Sequence, residues 1–293
     1  MTEKREYIKM EQISCNSLNE LQKQQVAQLV EICNQFDHTA EELFLSNEYH
    51  FYLEMDCFFL LYVQQELIGV LSVYADKDDF AEISACVRPD MRRRGYFKQL
   101  YQACQKQLEK FDYRHLYFKT YANAPAAHEI VKRKGAVFSS AEYLMCYQQS
   151  IQNYQPICGL EVCRAQQSHI VALAEIQVEA FGETLELAQR YVKQAMSNPK
   201  TMVLIGTYQD QIVSCCSVDT TGKRNYIFGL AVRTECQHKG IGTSTLCQVV
   251  ALLQQEQREI SLGVEAENAP ALSMYQHCGF QTITEYQYYQ IEI

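Results

Sequence analysis

The turn Gln237, His238, Lys239, Gly240, Ile241, Gly242 lies between a strand-like run that begins at Tyr226 and a helix-like run that opens with Thr243 and Ser244. Glycines let a backbone approach an anion closely, and the first N–H groups of a helix, with the positive end of its dipole, face whatever lies before it. The pattern points to phosphate binding, and so to a phosphorylated cofactor. By itself a Gly-x-Gly after a strand is also a plain tight turn, so the surrounding elements decide between the two.

Those elements repeat. Val87 and Val232, Gly95 and Gly240, and Asn123 and Asn268 are each 145 residues apart, which implies a duplication in a chain of 293 residues. The periodicities predict strands at Arg5–Ser14, Cys57–Val63, Leu67–Tyr74, Phe80–Val87 and Leu116–Tyr121. Helices are expected at Leu18–Phe36, from Tyr96 to Phe111 and after Asn123, with strands from Ala136 to Gln149. The second half repeats the plan: strand Leu160–Arg164, helices in Ile170–Phe181 and Leu185–Met196, and strands Met202–Tyr208, Ile212–Val218 and Tyr226–Val232. A helix to about Gln254, a strand Ile260–Ala266, a helix opened by Pro270 and strands from Phe280 onward complete it. The expected class is mixed α/β, two tandem domains each with a mixed central sheet flanked by helices. Residues 1–150 and 159–293 are the expected domains, joined by a polar, proline-containing linker at 151–158.

Composition narrows the function. A hydrophobic fraction of 47% with 21% charged residues is that of a globular protein, and no apolar run is long enough to cross a bilayer. Met1 to Met10 has no apolar signal core, so a cytoplasmic location is expected. Thirteen cysteines without a Cys-x-x-Cys pair argue for buried thiols and against zinc or disulfides, with Cys86 and Cys236, near the two turns, the more exposed candidates. A net charge of -9 disfavours nucleic acid as a partner. The one basic run, Arg92 to Arg94, lies in the upstream turn, where a phosphate would account for it.

The second half is similar to the GNAT superfamily, the GCN5-related N-acetyltransferases. Gln237 to Gly242 matches the signature Gln/Arg-x-x-Gly-x-Gly/Ala. Asn268, Ala271, Tyr275, Gly279 and Phe280 match Asn-x-x-Ala-x-x-x-Tyr-x-x-x-Gly-Phe. The resemblance covers about residues 159 to 293 well and 1 to 150 more loosely. It implies acetyl-CoA as co-substrate, an amine acceptor of small-molecule or peptide type, no metal, and a monomer or homodimer. It further implies that the main chain of Leu230, Ala231 and Val232 pairs with the pantetheine arm and that the amides from Gln237 and His238 through Lys239, Gly240, Ile241, Gly242 and Thr243 hold the pyrophosphate. Asn268 would bond the arm, and Tyr275 would protonate the departing thiolate. Asn268 also fits simple helix capping, and a lone buried tyrosine also fits a core.

The upstream copy departs from the pattern. Phe97 takes the place of the second glycine, and counting back four from Gly135 puts Val131 where the second half has Tyr275. Its three arginines add attraction for phosphate. Glu82, ten residues before Arg92, resembles the general-base glutamate of GNAT histone acetyltransferases, with Ile227 at the equivalent place in the second half. An exposed edge-strand carboxylate is the competing account of Glu82. In the second half Glu265 and Glu267 are the nearest carboxylates, and strand alternation points both to one face. The leading expectation is an N-acetyltransferase with the cofactor in the C-terminal domain. A non-catalytic acyl-CoA-binding sensor or scaffold is the alternative, and a transferase using aminoacyl-tRNA is disfavoured by the acidic balance.

Overall fold

The computed structural model describes residues 9–40, 42–148 and 156–293. The chain forms two compact units, Met1–Ser140 with Tyr286–Ile293, and Ala141–Glu285. Most of the expected linker, and the first residues of the expected Arg5–Ser14 strand, lie outside the described residues.

In the first unit, β1 (Met10–Cys15), β2 (Phe58–Val63), β3 (Glu66–Tyr74) and β4 (Phe80–Val87) pair antiparallel in that order. β5 (His115–Tyr121) then runs parallel to β4. Strand β2, Phe-Phe-Leu-Leu-Tyr-Val, is buried along its whole length, as expected for a strand covered on both faces. Helices α1 (Glu20–Asp37), α2 (Tyr96–Lys110) and α3 (Pro125–Lys134) surround the sheet. Asn19 and Gln22 form a reciprocal capping box that starts α1.

The second unit repeats this order. β7 (Leu160–Arg164), β8 (Thr201–Tyr208), β9 (Gln211–Asp219) and β10 (Asn225–Val232) pair antiparallel, and β11 (Ile260–Glu265) runs parallel to β10. Helices α4 (Ile170–Phe181) and α5 (Leu185–Ser197) pack on one face with Cys215 and Ala231. α6 (Ile241–Leu253) and α7 (Ala269–His277) pack on the other, with Cys216, Ile227, Leu262 and Val264.

The ends of the two repeats differ from the expectation of several short strands. Residues 137–147 form one strand, β6 (Val137–Tyr147), and 280–292 form another, β12 (Phe280–Glu292). Neither contains a glycine, proline, asparagine or aspartate, the residues a tight hairpin turn most favours. Each therefore continues past the end of its own repeat. Glu142–Cys146 of β6 pair with β11 in the second unit, and Tyr286–Glu292 of β12 pair with β5 in the first. The compact units thus exchange last strands relative to a boundary at 151–158.

Candidate functional site

Backbone angles put both turns in one conformation. Arg92 (φ -64, ψ 161) corresponds to Gln237 (φ -68, ψ 162), and Gly95 (φ 86, ψ 2) to Gly240 (φ 78, ψ 1). Arg93 and His238 between them have φ of 64 and 58. In each turn the first side chain ties back to the strand it follows: Gln237 Nε2 donates to the Val232 carbonyl at 3.1 Å, Arg92 Nε to the Val87 carbonyl at 2.9 Å. The signature Gln/Arg is a pin for the turn. Gln237, His238, Lys239 and Gly240 are exposed, ahead of the first helical amides, Ile241, Gly242 and Thr243, which have no acceptor within the helix.

The two glycines have different jobs. Gly240 requires its left-handed φ, and only Ile157 Cδ1 comes near, 3.6 Å from where a Cβ would stand. At Gly242 a Cβ would meet Met274 Sδ at 3.2 Å and Val232 Cγ2 at 3.4 Å. Gly242 thus lets α6 close on β10 and α7, rather than making room for an anion. In the first unit Phe97 stands in its place and stacks on Tyr101, 5.9 Å between ring centres. Ser244 is wholly buried, its Oγ accepting from the Ile157 N–H.

The strands before the turns are not alike. β4 pairs with β3 without interruption from Glu82 to Val87. β10 has a bulge: Phe228 faces Ser217 but Ala231 faces Cys215, so Gly229 and Leu230 together oppose Cys216, with Gly229 at φ 61. Parallel pairing with β11 ends at Ile227 and Leu262, which leaves Phe228–Val232 with one edge that β11 does not cover. An uncovered strand edge accepts an extended chain by main-chain hydrogen bonds. The Val232 carbonyl is already held by Gln237.

The bulge also corrects one correspondence. Ile83 and Ile227, each the last parallel pair of its strand, are 144 residues apart, whereas Val87 and Val232 are 145 apart. The extra residue makes Tyr226, not Ile227, the counterpart of Glu82. Ile227 belongs to the core between the sheet and α6.

Tyr275 lies on α7, 8% exposed, with its ring 6.2 Å from that of Phe280. Burial pushes its pKa up to about 12. Its hydroxyl makes no hydrogen bond among the described residues and is not among the sealed polar atoms without a partner, so it opens onto accessible space. Val131, at the matching place in the first unit, is core. Asn268 caps α7, its Oδ1 accepting from the Ala271 N–H at 3.1 Å; its amide nitrogen stays available as a donor.

The carboxylates separate. Glu265 ends β11, exposed, directly opposite Glu142 of β6. Glu267 follows in the turn before α7, also exposed. Glu82 is half-buried in a cavity of about 90 Å³ in the first unit, lined also by Glu42, Phe44, Tyr74, Ser84 and Lys119. Lys119 lies over the ring of Tyr286, 4.2 Å from its centre. A cationic side chain therefore shares the cavity with Glu82.

Two members of the arginine run have partners within the first unit. Arg92 makes a bidentate pair with Asp37 of α1 at 2.7 and 2.5 Å, and Arg94 donates to the Asp90 carbonyl. Among the cysteines, Cys158 and Cys163 are exposed and eight are buried, while Cys15, Cys86 and Cys236 are intermediate. Among the described residues no group of three or more His, Cys, Asp or Glu could hold a metal ion. No helix is long and apolar enough to cross a membrane.

Three features escaped the sequence reading: the bulge at Gly229, the Tyr226 position, and Glu142. An isolated glycine inside a strand pattern was the signal for the first. The others depend on which strands pair, and nothing local to Glu142 marks its neighbour.

Residues 23–135 and 170–280 both match the model of the Acetyltransferase (GNAT) family. A GCN5-related N-acetyltransferase from Sphaerobacter thermophilus superposes with a TM-score of 0.75 at 17% identity, over 97% of this chain and 95% of that one. A tandem GNAT protein from the clavulanic acid biosynthesis pathway gives 0.72 at 16%, over 97% and 98%. A GNAT-family acetyltransferase from Colwellia psychrerythraea gives 0.62 at 12%, over 97% and 99%. At these identities the likeness is one of fold. No curated protein matches the sequence.

Proposed function

Given that the chain belongs to the acetyltransferase (GNAT) family, we propose that it is an N-acetyltransferase that binds acetyl-CoA in the second unit and acetylates an amine. Membership supports acyl-CoA-dependent N-acetyl transfer in general terms; the choice of unit rests on one observation. Parallel pairing ends at the same point in both units, at Ile83 and Ile227, but only β10 carries the bulge at Gly229 and Leu230 beside that edge, while β4 pairs with β3 straight through. The residues fit an acyl-CoA: an uncovered strand edge for an amide-bearing arm, a turn of exposed amides for a diphosphate, and an accessible phenol.

Leu230 to Val232 hold the arm through main-chain groups, with the Val232 N–H as the donor its carbonyl cannot supplement. The amides of His238 to Thr243 hold the diphosphate, and Asn268 donates from its amide nitrogen. Bound acetyl-CoA supplies an activated thioester. The acceptor nitrogen bonds to the acetyl carbon as the carbon–sulfur bond breaks, and Tyr275 holds its proton toward the sulfur. A pKa of about 12 against ~8.5 for an ordinary thiol makes complete transfer uphill by ~5 kcal/mol. Tyr275 therefore acts first as a hydrogen-bond donor, passing the proton only as charge develops on sulfur. The nitrogen's proton leaves to Glu265 or to water.

The reading includes a cytoplasmic protein without a nucleic-acid partner. Glu82 would serve as base only if the first unit were catalytic. Titration calorimetry with acetyl-CoA, and turnover with an amine panel, test the assignment on wild type and Tyr275→Phe. Tyr275→Phe should keep acetyl-CoA affinity and lose ~10²–10³ in turnover. Binding without turnover in the wild type identifies a sensor or scaffold instead.

A further inference from the structure

The second unit carries a carboxylate that comes from the first sequence repeat. Glu142 of β6 stands opposite Glu265 of β11, and Leu144 opposite Gly263; opposed residues share a face with Cβ atoms ~4.5–5.5 Å apart. Tyr226 of β10 pairs in register with Ser261, two residues before Gly263, so its side chain rises from the same face. These three strands meet over Gly263. A Cβ there would collide with Glu142 Oε1 and lie 2.6 Å from the Tyr226 hydroxyl. Only glycine lets the carboxylate of one outer strand and the phenol of the other converge above the strand between them.

The place of this convergence matters. Gly263 is the first residue of β11 beyond the last parallel pair with β10, at the apex of the gap where the strands part. Leu262 and Val264 on either side point to the core shared with Tyr275, so Gly263, Glu142 and Tyr226 occupy the opposite face, the one on which α4 and α5 pack. Gln177 of α4 reaches the bulge on this side, 3.7 Å from where a Cβ of Gly229 would be. Tyr275 thus approaches the gap from one face, Glu142 from the other. A further observation points to a polar occupant. Ser261 is fully buried on the same face, and its Oγ has no hydrogen-bond partner among the described residues, a costly state unless another group supplies one.

The geometry points to Glu142, with Glu265 opposite, as the subsite that receives the ammonium group of the acceptor, which gives up one proton to water before its nitrogen attacks, so that the acceptor class is alkyl amines protonated at neutral pH. The inference rests on the N-acetyltransferase reading of the second unit and adds the substrate's charge and side of entry. Glu142 is a specificity-determining residue. It explains why a carboxylate from the first repeat is delivered to the second unit by strand exchange, beside a glycine that makes room for it.

The test uses the full chain and 1,3-diaminopropane as probe, with aniline as an amine uncharged at neutral pH. Diamine binding is measured by calorimetry on the protein with and without saturating CoA, for wild type, Glu142→Gln and Glu265→Gln. Glu142→Gln should weaken diamine binding about tenfold or more and raise the diamine KM by a similar factor, leaving the aniline KM and CoA affinity unchanged. Glu265→Gln should weaken it about threefold. Diamine binding within twofold of wild type in Glu142→Gln, or none in the wild type, overturns the proposal, as does an equal loss for aniline. If Glu142→Gln misfolds, Glu265→Gln and Tyr226→Phe carry the test, and unchanged diamine affinity in both overturns it. Failure of CoA binding or turnover in the wild type sinks the enzyme assignment separately, because the diamine titration without CoA still reads the subsite.

Discussion

His50 is held uncharged by its surroundings. Its ring is 2% exposed, stands edge-on to Tyr74 with centres 5.8 Å apart, and neither ring nitrogen has a hydrogen-bond partner among the described residues. Burial pushes its pKa down to about 4, against a weaker upward pull from the Asp76 carboxylate. The sign follows from proton counting. Below the ordinary histidine value of ~6.5 the unfolded chain takes up a proton that the folded chain refuses, so stability is present above pH ~6.5 and is lost as pH falls toward 4. At pH 5 the loss attributable to His50 is ~2 kcal/mol. Urea unfolding of wild type and His50→Phe at pH 7 and pH 5 checks this: the wild type should lose about that much more than the variant between the two pH values. Equal losses would place the acid sensitivity elsewhere. Tyr275 shows the same burial with the opposite sign, and both residues illustrate how a polar side chain identified by type alone acquires its chemistry from packing.

At the scale of elements, the bulge in β10 carries the difference between the two units. Gly229 at φ 61 is a position where any side chain is strained, costing ~1–2 kcal/mol, although a Cβ there meets nothing closer than Gln177 Nε2 at 3.7 Å. Gly229→Ala is therefore a backbone test with little steric confusion. Part of the strain is relieved if β10 straightens, which re-aims the main-chain groups of Leu230 to Val232 proposed to hold the arm. The expected result is a stability loss of ~1 kcal/mol by urea unfolding with acetyl-CoA binding weakened about tenfold by calorimetry, whereas Ser84→Gly, at the straight strand of the first unit, costs ~0.5–1 kcal/mol of stability and leaves acetyl-CoA affinity unchanged. Unaltered affinity in Gly229→Ala would remove the bulge from the binding account. The bulge also marks where the sequence became hard to read. β4 at Phe80–Val87 and β7 at Leu160–Arg164 are legible to the residue because apolar runs end at charged or turn-forming neighbours. The turn at Gln237–Gly242 is legible because glycine and helix-start chemistry are local. One inserted residue in β10 leaves composition unchanged yet shifts all earlier correspondences by one, which is why counting by 145 paired Glu82 with Ile227. Glu142 was illegible for a stronger reason: its functional neighbour, Gly263, is set by strand pairing across the whole chain.

At the scale of the molecule, strand exchange makes each compact unit depend on residues from the other end of the sequence. Seven residues of β12, Tyr286 to Glu292, pair with Tyr121 to His115 of β5. The Thr120 hydroxyl donates to the Gln287 carbonyl, 167 residues away in sequence, and Tyr289 and Ile291 pack against the first unit's core. A chain stopped after Glu285 keeps every residue of the second unit and loses this strand. The loss should then fall on the first unit, far from the cut in sequence. Losing one ladder of main-chain hydrogen bonds together with two core side chains is worth several kcal/mol in gross terms, and ~2–3 kcal/mol of local stability is a conservative share. Amide exchange in residues 115–121 should accelerate by about two orders of magnitude, while peptides from β10 and α6 keep their protection and acetyl-CoA still binds the second unit. Protection of β5 at the full-length level after truncation would mean that β5 is held by partners other than β12. A chain ending at residue 150, the boundary suggested by the repeat, should suffer the same loss at β5, because the repeat describes how the sequence arose and the exchanged strands describe what folds together.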